Sequence, residues 1–151
     1  MEDINKQVDF LARNCQKLGL KLTNQRIEIY KELLNSTDHP SAETLHRRLL
    51  GKIPALSVDT VYRTLATFCE YGLALKLPTA ESQAHFEIQH TPHHHVICNS
   101  CRNITNLYNV SQDETLSRKL DEWGQMLTQH VVVYGICQQC LLAAKHESQN
   151  S

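Results

Sequence analysis

The sequence predicts an α+β fold in two parts: a helical N-terminal part closed by a short hairpin, and a small C-terminal α/β part. Three observations predict it. Apolar residues recur at spacings of three and four through the first seventy or so positions, each stripe bracketed by polar caps or glycines. Short alternating stretches follow, the mark of half-buried strands. Histidine and cysteine then crowd the second part: of 9 His only His39 and His46 precede residue 80, and four of the 6 Cys follow residue 97.

The elements follow in order. Ile4, Val8, Leu11, Cys15 and Leu18 make one stripe of an amphipathic helix that Gly19 ends. Thr23 caps a second helix with Ile27, Tyr30 and Leu34 inward. A third starts at Ser41 after Pro40, carries Ala42, Leu45 and Leu49, and stops at Gly51. Ser57 caps a fourth, with Val58, Val61, Leu65 and Phe68 inward, ending at Gly72. Its other face shows Asp59, Thr60, Tyr62, Arg63, Thr64 and Thr67. Residues 73–77 and 85–88 alternate as strands around a turn from Pro78 to Ser82. Helices followed by a hairpin are the layout of a winged helix-turn-helix, spanning residues 1–88. Polar Gln89-His90-Thr91-Pro92 reads as a hinge. In residues 93–151, Val96 to Cys98 and Ile104 to Tyr108 read as strands. Ser111 and Glu114 have capping-box spacing before a helix with Leu116, Leu120, Trp123 and Leu127 inward. Val131 to Tyr134 is a third strand.

The 151 residues carry 15 Lys+Arg and 16 Asp+Glu. Residues 1–80 hold 11 basic against 9 acidic, and 81–151 hold 4 against 7, so the near-neutral total combines a +2 half with a −3 half. No apolar run reaches the roughly 18 residues of a membrane span, and the first residues lack a secretory pattern. The expected location is the cytoplasm, where thiols stay reduced and clustered cysteines point to metal before disulfides.

Cys98-x-x-Cys101 and Cys137-x-x-Cys140 form C-x2-C-x35-C-x2-C. Two such knuckles supply the tetrahedral S4 set that zinc prefers. A redox-active pair or four buried thiols is the competing reading, although a redox motif needs only one pair. Cys15 and Cys69 read as small core residues. In the run His93-His94-His95, positions two apart on a strand face one way, so His93 and His95 can share an ion while His94 points away. Glu87 lies six residues earlier, and His39 sits in a Thr-Asp-His-Pro turn. Imidazole and carboxylate together suit Fe(II), Mn(II) or Zn(II); solvated surface histidines are the alternative.

Lys21-Leu22-Thr23-Asn24-Gln25-Arg26, His39-Pro40-Ser41-Ala42, Ser57-Val58-Asp59-Thr60-Val61-Tyr62-Arg63-Thr64-Leu65, the histidine run and the paired knuckles together resemble the ferric uptake regulator (Fur) family. The resemblance covers about Leu11 to Cys140. It implies a dimeric, metal-dependent repressor, not an enzyme, with a winged helix joined by a hinge to a dimerisation domain. It assigns structural zinc to Cys98, Cys101, Cys137 and Cys140, and a regulatory metal, Fe2+ or Mn2+ with Zn2+ possible, to His39, Glu87, His93, His95 and Asn106. The Glu87-to-His93 spacing is one residue shorter than in typical iron sensors and resembles the peroxide-sensing branch, PerR. Asn106 departs from both, since iron sensors usually carry Glu there and peroxide sensors Asp. A further family site would use Pro92, His94, Asp113 and His130, and proline cannot ligate, so that site is expected to be degenerate.

Lys21, Ser57, Thr60, Tyr62 and Arg63 are the candidate contacts to double-stranded DNA. Arg63 and Tyr62 suit base edges in the major groove, and Ser57 and Thr60 suit phosphate. Without the surrounding motif, the Tyr-Arg pair would read as a surface helix packed on a neighbour. A homodimer predicts a palindromic operator. The expected function is therefore a PerR-like repressor active in oxidative stress. An iron-responsive Fur or zinc-responsive Zur is the alternative within the family. A metal-storage protein or metalloenzyme is the alternative outside it, and both leave Tyr62, Arg63 and the wing without a use.

Overall fold

Each early helix begins where a short polar side chain accepts an otherwise unpaired amide. Asp3 accepts the Asn5 N–H, Thr23 that of Arg26, Ser41 that of Thr44 and Ser57 that of Thr60. In the computed structural model these caps open α1 (Ile4–Lys17), α2 (Asn24–Asn35), α3 (Ala42–Leu49) and α4 (Val58–Glu70). The structure describes residues 3–149 except 78, 80–82, 89, 90, 92, 111–113, 126–128 and 130. The turn from Pro78 to Ser82, most of the hinge and the capping residue Ser111 thus fall outside the described residues. So do Pro92, Asp113 and His130.

Glycine ends two helices for a stated reason. Gly19 (φ 66°) and Gly72 (φ 70°) adopt the left-handed conformation that lets the next amide turn back. The Leu20 N–H then reaches the Cys15 carbonyl at 2.8 Å, and the Leu73 N–H reaches that of Phe68 at 2.7 Å.

The chain divides into two units, residues 1–89 and 90–151. In the first, α1 to α4 and a two-stranded antiparallel sheet, β1 (Leu75–Leu77) and β2 (His85–Glu87), surround one core. Leu11, Tyr30, Leu45, Val61, Leu65, Phe68 and Phe86 lie in it, with Tyr30 and Phe68 meeting edge to face at 5.7 Å. The winged-helix layout is the observed one. Some inward faces differ from expectation. On α2 the buried side chains are Ile29, Tyr30 and Leu33, so the face is rotated from the Ile27 and Leu34 stripe. On α4 Val58 is 38% exposed, whereas Thr64, expected on the outer face, is only 5% exposed.

The second unit carries a three-stranded sheet in the order β4-β3-β5. The central strand β3 (His94–Cys98) runs antiparallel to β4 (Ile104–Leu107) and parallel to β5 (Val132–Gly135). Helix α5 (Glu114–Trp123) lies in the connection that the parallel pairing requires. Trp123, expected inward, is 78% exposed. A final helix, α6 (Gln138–Gln149), was not expected, because its apolar residues form no clear stripe. No helix among the described residues is long and apolar enough to cross a membrane.

Phe68 touches the heart of the first unit, so Phe68→Ala is expected to cost roughly 3–5 kcal/mol. Urea denaturation should show this as a lower midpoint at unchanged slope.

Candidate metal centres and nucleic-acid interface

Capping places the α4 side chains. Ser57 Oγ accepts the Thr60 N–H at 3.1 Å and lies 2.8 Å from Thr60 Oγ1, so both hydroxyls sit at the helix N-terminus, where anions are favoured. One turn on, Tyr62 and Arg63 are exposed. Neither hangs loose. The Tyr62 hydroxyl donates to Glu43 Oε1 on α3, and Arg63 Nε lies 2.9 Å from Asp59 Oδ2. Tyr62 holds the Glu43 carboxyl below the usual carboxylate range, and Glu43 in turn raises the Tyr62 hydroxyl. With Nε engaged by Asp59, the two terminal nitrogens of Arg63 keep the donor pair that a guanine edge can accept. A groove of about 340 Å³ runs between the start of α2 and α4, lined by Lys21, Arg26, Thr60, Arg63 and Thr67 among others. Arg26 Nη1 donates to the Lys21 carbonyl at 2.5 Å, so a third cation joins the predicted Lys21 and Arg63. Glu43 and Arg26 escaped the sequence reading of this face.

The four predicted cysteines come together. Their sulfurs lie within 4.8 Å of one another, with Cys98 to Cys140 at 3.9 Å and Cys101 to Cys137 at 3.8 Å. Sulfurs held about 2.3 Å from a tetrahedral ion are about 3.8 Å apart, so the donor set and its spacing fit zinc. The first knuckle turns through Arg102 at φ 64°, with the Cys98 N–H on the Asn103 carbonyl at 3.0 Å. The second begins at Cys137 and ends in the first turn of α6, at Cys140. Backbone amides of Cys137 and Cys101 pull the Cys98 thiol down to about 6, which favours the thiolate a metal needs. Ser100 lowers Cys140, but contact with the thiols of Cys137, Cys101 and Cys98, together with burial, pushes it up to about 11. A coordinated cation is what would deprotonate it. No disulfide forms. Cys15 is buried in the core of the first unit and Cys69 packs against it, and burial raises both thiols.

The histidine and carboxylate candidates form a pair in each unit. In the first, His39 Nε2 lies 3.2 Å from Glu87 Oε2, both side chains buried. In the second, His93 Nε2 lies 3.1 Å from His95 Nε2. Ligands about 2.1 Å from one ion and at right angles are about 3.0 Å apart, so each pair has the spacing of neighbouring ligands. The Thr91 carbonyl, 2.8 Å away, accepts from His93 Nδ1 and thereby places the hydrogen on that nitrogen, leaving Nε2 as the metal-binding atom. Asn106 pairs with His95 across β3 and β4. Its amide donates to the Tyr108 hydroxyl at 3.3 Å, whereas its Oδ1 is buried with no hydrogen-bond partner among the described residues. An orphaned buried oxygen on the residue paired with His95 fits a cation. Tyr108 also stacks against His93 at 5.0 Å. It was missed in the sequence, although it lies two residues beyond Asn106 and so on the same side of an extended chain.

A family model described as the ferric uptake regulator family matches residues 17–134. The chain belongs to the ferric uptake regulator family. A peroxide operon regulator of Bacillus subtilis (strain 168) is 33% identical over 132 residues, 87% of this chain and 91% of that protein. The solved ferric uptake regulator of Francisella tularensis with iron is 28% identical, with a TM-score of 0.66 over 82% of this chain and 96% of that one. That of Helicobacter pylori, described with three functional metal-binding sites, shares the fold at a TM-score of 0.73 and 24% identity, covering 93% of this chain and 95% of that one. Fur-family proteins are transcriptional regulators that bind DNA and act as dimers, and this chain is a regulator rather than an enzyme.

If the four thiols of this Fur-family chain hold one zinc ion, Cys101→Ser should lower zinc content from about one per chain towards none and bring the thermal unfolding of the second unit down with it. A folded, zinc-free variant would contradict that expectation.

Proposed function

We propose that this chain is a peroxide-responsive, metal-dependent repressor that acts in the cytoplasm as a homodimer on a palindromic operator. The observation that carries the reading is a metal-competent pair, His39 and Glu87 at 3.2 Å, built into the same unit as Tyr62 and Arg63. Residues 1–88 read DNA, 89–92 act as hinge, and 93–151 dimerise. Lys21, Ser57 and Thr60 contact the backbone and groove edge, while Tyr62 and Arg63 contact bases.

His39 and Glu87 hold the regulatory ion from one side of the hinge, and His93, His95 and Asn106 hold it from the other. Ligands drawn from both sides favour one arrangement of the two units, the DNA-competent one, by differential affinity. Glu87 is the only carboxylate, so the loaded site carries a charge of +1. Cys98, Cys101, Cys137 and Cys140 hold structural zinc, which stabilises a unit too small for a large core. Fe2+ held by these residues would activate peroxide beside them; in balance, one peroxide oxygen would enter an imidazole C–H bond and the other would leave as water. His39 or His93, once oxidised, would keep its nitrogens but be a poorer donor, and the grip across the hinge would weaken. Mn2+ keeps the repressor active without this chemistry. The support is the relative named a peroxide operon regulator and the six-residue step from Glu87 to His93.

The test is DNA affinity on a palindromic promoter, metal by metal. Mn2+ and Fe2+ are each expected to promote binding, and peroxide to abolish it only in the iron form. Mass spectrometry should then find about one added oxygen on a peptide holding His39 or His93. Unmodified peptides with binding intact would leave an iron-responsive regulator; activation by Zn2+ alone would leave a zinc-responsive one. Arg63→Ala should cost about 1–3 kcal/mol on the cognate operator and relax discrimination at one base position.

A further inference from the structure

His85 belongs to neither proposed metal site, yet it touches the residue on which the regulatory one turns. Strand β2 consists of His85, Phe86 and Glu87. Phe86 lies in the core of the first unit, and side chains alternate along a strand, so His85 and Glu87 share the opposite side. Both meet residue 39. Glu87 Oε2 lies 3.2 Å from His39 Nε2, and His85 Nδ1 lies 2.6 Å from the His39 carbonyl oxygen. A carbonyl only accepts, so Nδ1 of His85 carries the hydrogen and donates it.

The His39 peptide needs such a hold. Its φ of 49° is left-handed, a conformation that a residue with a Cβ leaves readily unless its surroundings fix it. The next residue is proline and offers no N–H to tie the turn. The strand does the tying instead: the Phe86 N–H donates to the Pro40 carbonyl at 3.1 Å, and Ser41 bridges to His85. Of these contacts, only the His85 hydrogen bond acts on the peptide of residue 39 itself.

We propose that His85 is a positioning residue for the regulatory metal, its Nδ1–H holding the left-handed His39 peptide so that the His39 imidazole stays beside Glu87. This rests on the reading that His39 and Glu87 are ligands. Partners of this kind, which orient a ligand without touching the ion, typically change metal affinity by 10–100-fold when removed.

The test uses the full-length, zinc-loaded protein with Mn2+ as the probe, titrated by calorimetry. His85→Leu keeps bulk but loses the donor, and should weaken Mn2+ binding about tenfold or more with zinc content unchanged. His85→Asn places an amide N–H where Nδ1 stood and should recover most of the affinity. His85→Gln, whose amide reaches the Nε2 position instead, should not. Wild-type affinity in His85→Leu, or an Asn variant as weak as the Leu one, overturns the proposal. Should His85→Leu fail to fold, the contrast between Asn and Gln decides alone, equal affinities counting against it. His39→Ala is the separate control: if it binds Mn2+ as the parent does, the ligand reading itself falls.

Discussion

The parity of a three-residue strand constrains the whole first unit. Phe86 enters the core beside Leu65 and Phe68, and this alone sends Glu87 to the other side, where His39 waits. A slip of one residue would expose Phe86 and bury Glu87 in hydrocarbon, so the register is fixed by both halves of the unit at once. The helix that carries Tyr62 and Arg63 packs into that same core through Val61, Leu65 and Phe68. The proposed base readers and a metal-competent pair are therefore mounted on one hydrophobic frame, and neither can move without disturbing it.

How much of this was legible in the sequence depended on the range of the interaction. Caps at Thr23, Ser41 and Ser57 were legible because a cap needs only a hydroxyl and an amide three residues away. Four cysteines at knuckle spacing were legible because each knuckle is local. The buried face of α2, on Ile29 and Leu33 instead of Ile27 and Leu34, was not, since it is set by what α1 and α3 press against it. Thr64 is buried for the same reason, and Trp123 exposed because nothing among the described residues covers it. Helix α6 lacks the stripe that would have announced it. The contact between His85 and His39 spans 46 residues, a separation over which no local pattern speaks.

The second unit shows how little core a domain of about sixty residues can assemble. Ile97 and Cys98 are its buried apolar side chains among the described residues, while Val133, Tyr134, Ile136, Leu141 and Leu142 lie open. Its outer strands β4 and β5 are both sheet edges. A fold so sparingly filled depends on links between its elements, and the four sulfurs supply one: β3 ends at Cys98, and α6 contains Cys140. The proposed dimer gives the open apolar side chains a place as well.

The left-handed backbone at residue 39 also restricts what evolution can put there. Among residues with a side chain, Asn, Asp and His are the ones enriched in that conformation, and all three can bind a cation. Glycine would accept the turn and remove the donor; glutamate or cysteine would keep a donor and strain the turn. Glycine aside, the backbone thus favours a few residues that can bind a cation at this position, so most substitutions the turn tolerates would exchange one candidate ligand for another.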